Sequence, residues 1–320
     1  MFAELVGQPR AVGLLEAALR HGRVAPAYLF AGPEGVGRRL AALRFLEGLV
    51  LGQEGQGDGS LRRRLAQGNH PDLLWVEPTY SHQGKLVAAS QAEAEGVNRR
   101  SPPQLRLEQI RDVSRFLSRR PVEARGAMVV LEAAEAMAEA AANALLKTLE
   151  EPGDGLLILI SAAPDQLLST IRSRCQQIPF RRLEPQQLRQ VLERQGNTEP
   201  DGADGDDPPE LLELAAGSPG ALLEHRRQWR GLPEGLAERL GELPADPLSA
   251  LALARDLSEA LDGDQQLWLL NWLQLSRWRR QPRPAELERL EQLRRQLRSH
   301  VQPRLAWEVA LLELAGLQAL

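Results

Sequence analysis

Apolar positions in the first half of the chain alternate between two rhythms. Over 9–20, Leu14, Leu15, Ala18 and Leu19 recur at helical spacing, while 27–31 is a short apolar run closed by Gly32-Pro33, the pattern of a buried strand. A helix is expected from Arg38 to about Leu51, a strand at 73–77, and a helix through Leu107, Ile110, Val113 and Leu117 that stops before Pro121. A strand at 128–131, a helix at 135–150 and a strand at 156–160 follow. The Gly-rich segment 51–60 and the segment 81–103, which has no clean period, read as loops or insertions. Strands alternating with helices predict a mostly parallel sheet with helices on both faces. Past Phe180 the strand signals almost vanish, and 196–209 is an acidic Gly/Pro-rich loop within helical sequence. From about Leu232 one amphipathic helix follows another, so the expected class is α/β followed by all-α. No internal repeat is visible.

Composition narrows the classes. A chain of 320 residues, 43% hydrophobic and 26% charged, can bury a sizeable core; collagen and a wholly disordered chain are excluded. One cysteine, Cys175, rules out an intramolecular disulfide and a cysteine-built zinc site. The longest mainly apolar run, 156–163, is far short of the roughly 20 residues that span a membrane. The N-terminus carries Glu4 and no basic-then-apolar leader, so a cytoplasmic protein without a membrane partner is expected. A formal charge of −4, from 39 basic and 43 acidic side chains, argues against global attraction to nucleic acid.

Three short segments carry candidate chemistry. Gly32-Pro33-Glu34-Gly35-Val36-Gly37-Arg38-Arg39 has the glycine spacing of a P-loop, between a strand and a helix as that loop requires. Glycines let backbone N–H groups face a phosphate at the positive end of the helix. A working loop then needs a lysine for the β/γ-phosphates and a hydroxyl for Mg²⁺. Arg38 and Arg39 stand at those positions, and arginine cannot ligate magnesium. Taken alone, the segment also reads as an ordinary Gly-rich turn. The strand 127–131 ends in Glu132-Ala133, where a hydrolysing loop carries a metal-binding acid and a base; Glu132 fills the acidic position and Ala133 cannot be a base. Third, Arg172 and Arg174 lie in Leu168-Ser169-Thr170-Ile171-Arg172-Ser173-Arg174-Cys175, which by pattern alone is a solvated basic turn.

Read together, GPEGVGRR at 32–39, AAANALLKTLEEP at 140–152 and STIRSRCQQIPF at 169–180 resemble the AAA+ clamp-loader family of the bacterial DNA polymerase III holoenzyme. His70-Pro71-Asp72 and Pro303-Arg304-Leu305-Ala306 are similar to it as well. The resemblance spans nearly the whole chain and is weakest at 51–104 and 196–209. It implies an AAA+ α/β domain with a degenerate P-loop at 1–180, a helical lid at 181–231 and a helical collar for oligomerisation at 232–320. It also implies a hetero-pentameric ring with gamma/tau-type ATPase subunits and a delta subunit, which loads a sliding clamp onto primed DNA in replication. Carried over, Arg174 is an arginine finger supplied in trans to the ATP/Mg²⁺ site of a neighbour, with Ser173 and Cys175 completing the motif. Such a chain has no independent activity and no cofactor of its own, yet is grouped with DNA-directed DNA polymerase as a holoenzyme subunit.

The chain departs from that family in ways that bear on function. The four zinc-binding cysteines often found there are missing from 53–69, so zinc is not expected. Gly217-Ser218-Pro219-Gly220 is followed by Ala221 where active relatives carry a phosphate-contacting arginine, and Ala162 and Ala163 stand where a polar residue is expected after the 156–160 strand. Trp268 and Trp272, at helical spacing, read as core, with part of that surface available to an interface. Arg277-Trp278-Arg279-Arg280 reads as a solvated helix end before a nucleic-acid patch, His70 as a cap or filler, and Cys175 as a small buried residue. No metal-ligand spacing occurs among the five histidines. The competing reading is a free-standing ATPase or nucleotide-dependent switch with Arg38 in place of the lysine.

Overall fold

A computed structural model describes residues 1–52, 59–92, 94–97, 102–151, 153–194, 208–299 and 301–316. Two compact units divide the chain: Met1–Gln195 with Gly217–Gly220, and Gly196–Ala216 with Ala221–Leu320.

In the first unit the order is α1 (Pro9–His21), β1 (Ala27–Ala31), α2 (Arg38–Leu51), α3 (Gly59–Ala66), β2 (Leu73–Val76), β3 (Thr79–His82) and β4 (Lys85–Ala88). Then follow α4 (Leu107–Leu117), β5 (Met128–Leu131), α5 (Glu139–Glu150), β6 (Leu156–Ser161), α6 (Ser169–Arg172), β7 (Gln176–Pro179) and α7 (Pro185–Arg194). Five strands form one sheet in the order β2-β5-β6-β1-β7, and every pairing is parallel. Parallel strands are buried on both faces, which is why β6 is apolar from Leu156 through Ile160 and has every residue inside. One face, with Leu29, Val129 and Leu159, packs on α4 and α5 through Ile110, Val113, Leu145 and Leu149. Tyr28 points the other way and meets Phe45 of α2 edge-on at 5.1 Å.

The boundaries predicted for β1, α2 and β5 match the structure, and four readings change. The stretch 81–103 was expected to be loop, but β3 and β4 form an antiparallel hairpin with His82 opposite Lys85. Gln83 and Gly84 between them both have positive φ, 49° and 78°, the geometry of a two-residue turn that suits strand twist. Each strand has four residues and mixed polarity, too short for a period to emerge. The 135–150 helix begins at Glu139, after a 3₁₀ turn at Ala134–Ala136. β7 was not expected: it is the sheet edge, with Gln176 and Gln177 exposed. Part of 51–60 is helical, since α3 starts at Gly59; the positions 53–58 lie outside the described residues, as does most of the 196–209 loop.

The second unit is helical: α8 (Pro209–Ala215), α9 (Pro219–Arg230, from Ala221 onward), α10 (Leu236–Glu242), α11 (Pro247–Ala260), α12 (Gly263–Arg280), α13 (Pro284–Arg298) and α14 (Pro303–Leu314). The tryptophan stripe is core. Trp268 and Trp272 are buried, Trp268 Nε1 donates to His225 Nδ1 at 3.0 Å, and Trp307 Nε1 donates to the buried Gln266 Oε1 at 3.0 Å. The 277–280 cluster is engaged within this unit. Arg277 bonds Glu286 twice at 3.0 Å, Arg279 pairs with Glu213, Arg280 donates to the Gly241 carbonyl, and Trp278 is exposed. Among the described residues no helix is long and apolar enough to cross a membrane.

Candidate functional site

The Gly-rich loop joins β1 to α2 at the end of the parallel sheet, the usual place for ligands in such folds. Gly32 has φ 154°, donates its N–H to the Ser161 carbonyl at 3.1 Å, and passes so close to Phe180 that a Cβ would lie 2.4 Å from its carbonyl oxygen. Gly35 and Gly37 have φ of 70° and 99°, and Gly37 caps α2. Pro33 is half-buried and Val36 is buried. The loop is held from one side by 217–220: Ser218 Oγ donates to the Glu34 carbonyl at 2.6 Å and Gly220 N–H to the Gly35 carbonyl at 3.0 Å.

At the start of α2 the two arginines behave differently. Arg38 is buried, at 9% exposure, and lines a cavity of about 530 Å³ with Glu34, Arg39, Glu132 and Glu135; its Nη1 has no hydrogen-bond partner. Burial pulls its guanidinium below the ordinary pKa, with Glu135, Glu34 and Glu132 opposing. Arg39 is more exposed and crosses to β5, where Nη1 donates to Glu132 Oε1 at 2.9 Å and Oε2 at 3.2 Å. Its guanidinium carbon lies 4.7 Å from the ring centre of Trp75 on β2. Burial raises the Glu132 carboxyl above its usual value; the Arg39 charge and the Trp75 indole work against that rise. At residue 39, then, a guanidinium lies on the Glu132 carboxylate.

Two side chains here escaped the sequence reading. Glu135, expected within a helix, lies in the 3₁₀ turn after β5, lines the cavity, and accepts the Ala162 N–H through Oε1 at 3.0 Å while Oε2 is unpaired. Ser161, rather than the following alanines, supplies a polar side chain at the end of β6. The strand runs one residue further than its apolar run, and the Ser161 hydroxyl is buried without a partner.

The second basic segment folds as the short helix α6 and a turn. Arg174 lies at the end of α5, exposed by 37%, with Nη2 on Glu150 Oε1 at 2.8 Å and Nη1 on the Thr170 carbonyl at 3.2 Å. Ser173 Oγ closes the turn on the same carbonyl, and Arg172 pairs with Asp165. Cys175 is buried in the sheet core, and burial pushes its thiol up to about 12. Glu150 lies within the 140–152 motif, but nothing local marked it as the partner of Arg174. Elsewhere, His70 Nδ1 accepts the Asp72 N–H at 3.2 Å, and the Asp72 carboxylate accepts three backbone N–H groups from 122–124. Among the described residues no three or more His, Cys, Asp or Glu side chains are grouped to hold a metal.

Known proteins add a second line of observation. Residues 7–184 match the family described as DNA polymerase III, delta subunit, and 186–314 match the C-terminal domain of cyanobacterial DNA polymerase III delta prime. The DNA polymerase III subunit delta' of Bacillus subtilis is 33% identical over 189 residues, 58% of this chain and 51% of that one. Its Pseudomonas aeruginosa counterpart is 39% identical over 158 residues, 48% of this chain and 42% of that one. The chain thus spans about half the length of the curated relatives it matches. A crystal structure of a gamma subunit-related protein of DNA polymerase III from Thermotoga maritima superposes with a TM-score of 0.56 at 17% identity, covering 94% of this chain and 98% of that one, a likeness of fold.

Proposed function

We infer, because the chain belongs to the DNA polymerase III delta-prime family within the AAA+ clamp loaders, that it is the loader's non-hydrolysing subunit. In this reading it is a scaffold in a hetero-pentameric ring with gamma/tau-type ATPase subunits and a delta subunit. The ring places a sliding clamp on primed DNA. Arg174 would reach the γ-phosphate of ATP/Mg²⁺ held by a neighbour. The three-part division at 1–180, 181–231 and 232–320 belongs to the same proposal, with 232–320 as the joining collar.

The observation that carries it is a contrast between two sites of one chain. In its own loop a guanidinium covers Glu132 and Ala133 offers no base, whereas Arg174 is partly exposed and held only through an exposed carboxylate and one carbonyl. An exposed ion pair of this kind contributes little, so the guanidinium can change partners at small cost. Placed against developing negative charge, an arginine finger is worth about 10³–10⁵ in rate.

The test is reconstitution with the cell's loader ATPase and remaining subunit. Arg174→Ala should leave assembly intact and lower DNA-stimulated ATP turnover; unchanged turnover refutes the finger, and failure to associate refutes the loader role. The cavity and the unpartnered Arg38 Nη1 favour the competing switch reading; against it, Glu34, Glu132 and Glu135 share that cavity with two arginines, so its side chains bring no net positive charge to a polyphosphate.

A further inference from the structure

Arg39 does more than fail as a metal ligand. It links three elements of the sheet's ligand end: Arg39 lies in the first turn of α2, and its guanidinium bonds Glu132 just after β5 and lies over Trp75 of β2. Glu132 is itself tied to β2, its N–H donating to the Val76 carbonyl at 2.8 Å. In a hydrolysing P-loop protein the corresponding link between the first turn of the helix and the acid after the strand is a divalent ion. Here the donor set does not fit such an ion: residue 39 brings no oxygen, and the Glu132 carboxylate already accepts from Nη1 through both oxygens.

We propose that Arg39 is a built-in cation that takes over the structural role of the divalent metal, joining α2, β5 and β2 so that the loop 32–39 keeps its curled form with neither metal nor nucleotide. Glu132 is the anion this cation serves, three-quarters or more removed from water, with an exposed side-chain fraction of 20%. A carboxylate so placed needs a counter-charge, and Arg39 is the residue paired with it. The Trp75 ring adds a cation–π contact, with the guanidinium carbon 4.7 Å from its centre, although more than half of the Arg39 side chain stays in water. The other edge of the loop is already secured by Ser218 and Gly220 on the Glu34 and Gly35 carbonyls. The loop is therefore closed by protein groups alone. This inference concerns the chain's own loop and is independent of the finger role of Arg174.

The test uses the full chain, purified with a chelator, and two readouts: thermal melting and amide hydrogen exchange over the loop. The native protein should be unmoved by chelator, millimolar Mg²⁺ or Mg·ADP. Arg39→Thr supplies the hydroxyl of a metal-binding loop in place of the cation; it should melt about 2–4 °C lower. Its loop amides should exchange about tenfold faster. Magnesium should restore both, and adding Glu132→Gln should abolish the restoration. Arg39→Met keeps an apolar stem over Trp75 without the charge, and should show the loss with no response to magnesium. The proposal is overturned if Arg39→Thr or Arg39→Met behaves as the native protein, if magnesium leaves Arg39→Thr unchanged, or if Mg·ADP stabilises the native chain.

Discussion

Replacing Asp72 by alanine removes the acceptor for three backbone donors at once. Val122 N–H bonds Oδ1, and Glu123 and Ala124 N–H bond Oδ2, all at 2.7 Å, on a residue that is 4% exposed. A hydrogen bond to a charged group contributes about 1.5–3 kcal/mol, and three on one carboxylate are not additive, so Asp72→Ala should cost about 3–5 kcal/mol. Asp72→Asn keeps the shape but turns an NH₂ toward an N–H donor, and should cost about 2–4 kcal/mol. The acid dependence follows from the same geometry. Burial pushes the Asp72 carboxyl up, but the three N–H donors and the nearby His70 together bring it below its ordinary value. With the folded value below the unfolded one, the stabilisation is complete above about pH 4 and is lost as the pH falls through the folded value. Urea unfolding of native protein and variant at neutral and at acid pH measures both effects. A neutral-pH difference within about 1 kcal/mol refutes the reasoning, as does a difference that fails to shrink on acidification.

The remaining predictions are more local. Because burial pushes the Cys175 thiol up to about 12, the native chain holds far less reactive thiolate at neutral pH than the unfolded one. Thiol reagents should therefore modify Cys175 far more slowly in the native chain than in urea, and equal rates would contradict its burial. Trp307→Phe removes the donor to Gln266 and leaves space in a fully buried site, so the C-terminal helical unit should lose about 2–4 kcal/mol. Its unfolding, followed by tryptophan fluorescence or calorimetry, checks this; a loss near zero would mean that the Gln266 network contributes nothing. Arg174→Ala should melt with the native protein, since its pair with Glu150 is exposed, so that reduced turnover in the assembled loader reports on function and not on folding.

How far the fold was legible depended on burial. β1 and β5 were read from sequence because parallel strands covered on both faces are short apolar runs with abrupt Gly or charged ends. β7 escaped because an edge strand needs few apolar residues, and the β3–β4 hairpin because its signal lay in two left-handed turn residues, Gln83 and Gly84, rather than in any period. His70-Pro71-Asp72 was recognisable as a motif, yet its purpose lies in backbone donors some fifty positions later.

The same division runs through the candidate site. By itself the sequence determined that the loop 32–39 has the glycines of a phosphate cradle without the lysine or hydroxyl, that residue 133 is no base, and that an Arg-bearing Ser-Arg-Cys turn is retained. These are statements about which chemical groups exist, and spacing along a chain is enough to make them. Only the tertiary structure decided what those groups do to one another. It put Arg39 on Glu132, 93 positions away, over Trp75; it left Arg38 buried with a free Nη1; and it gave Arg174 to Glu150. The physical reason is that charges act through distance and burial, and both are set by how the sheet brings the ends of distant strands together.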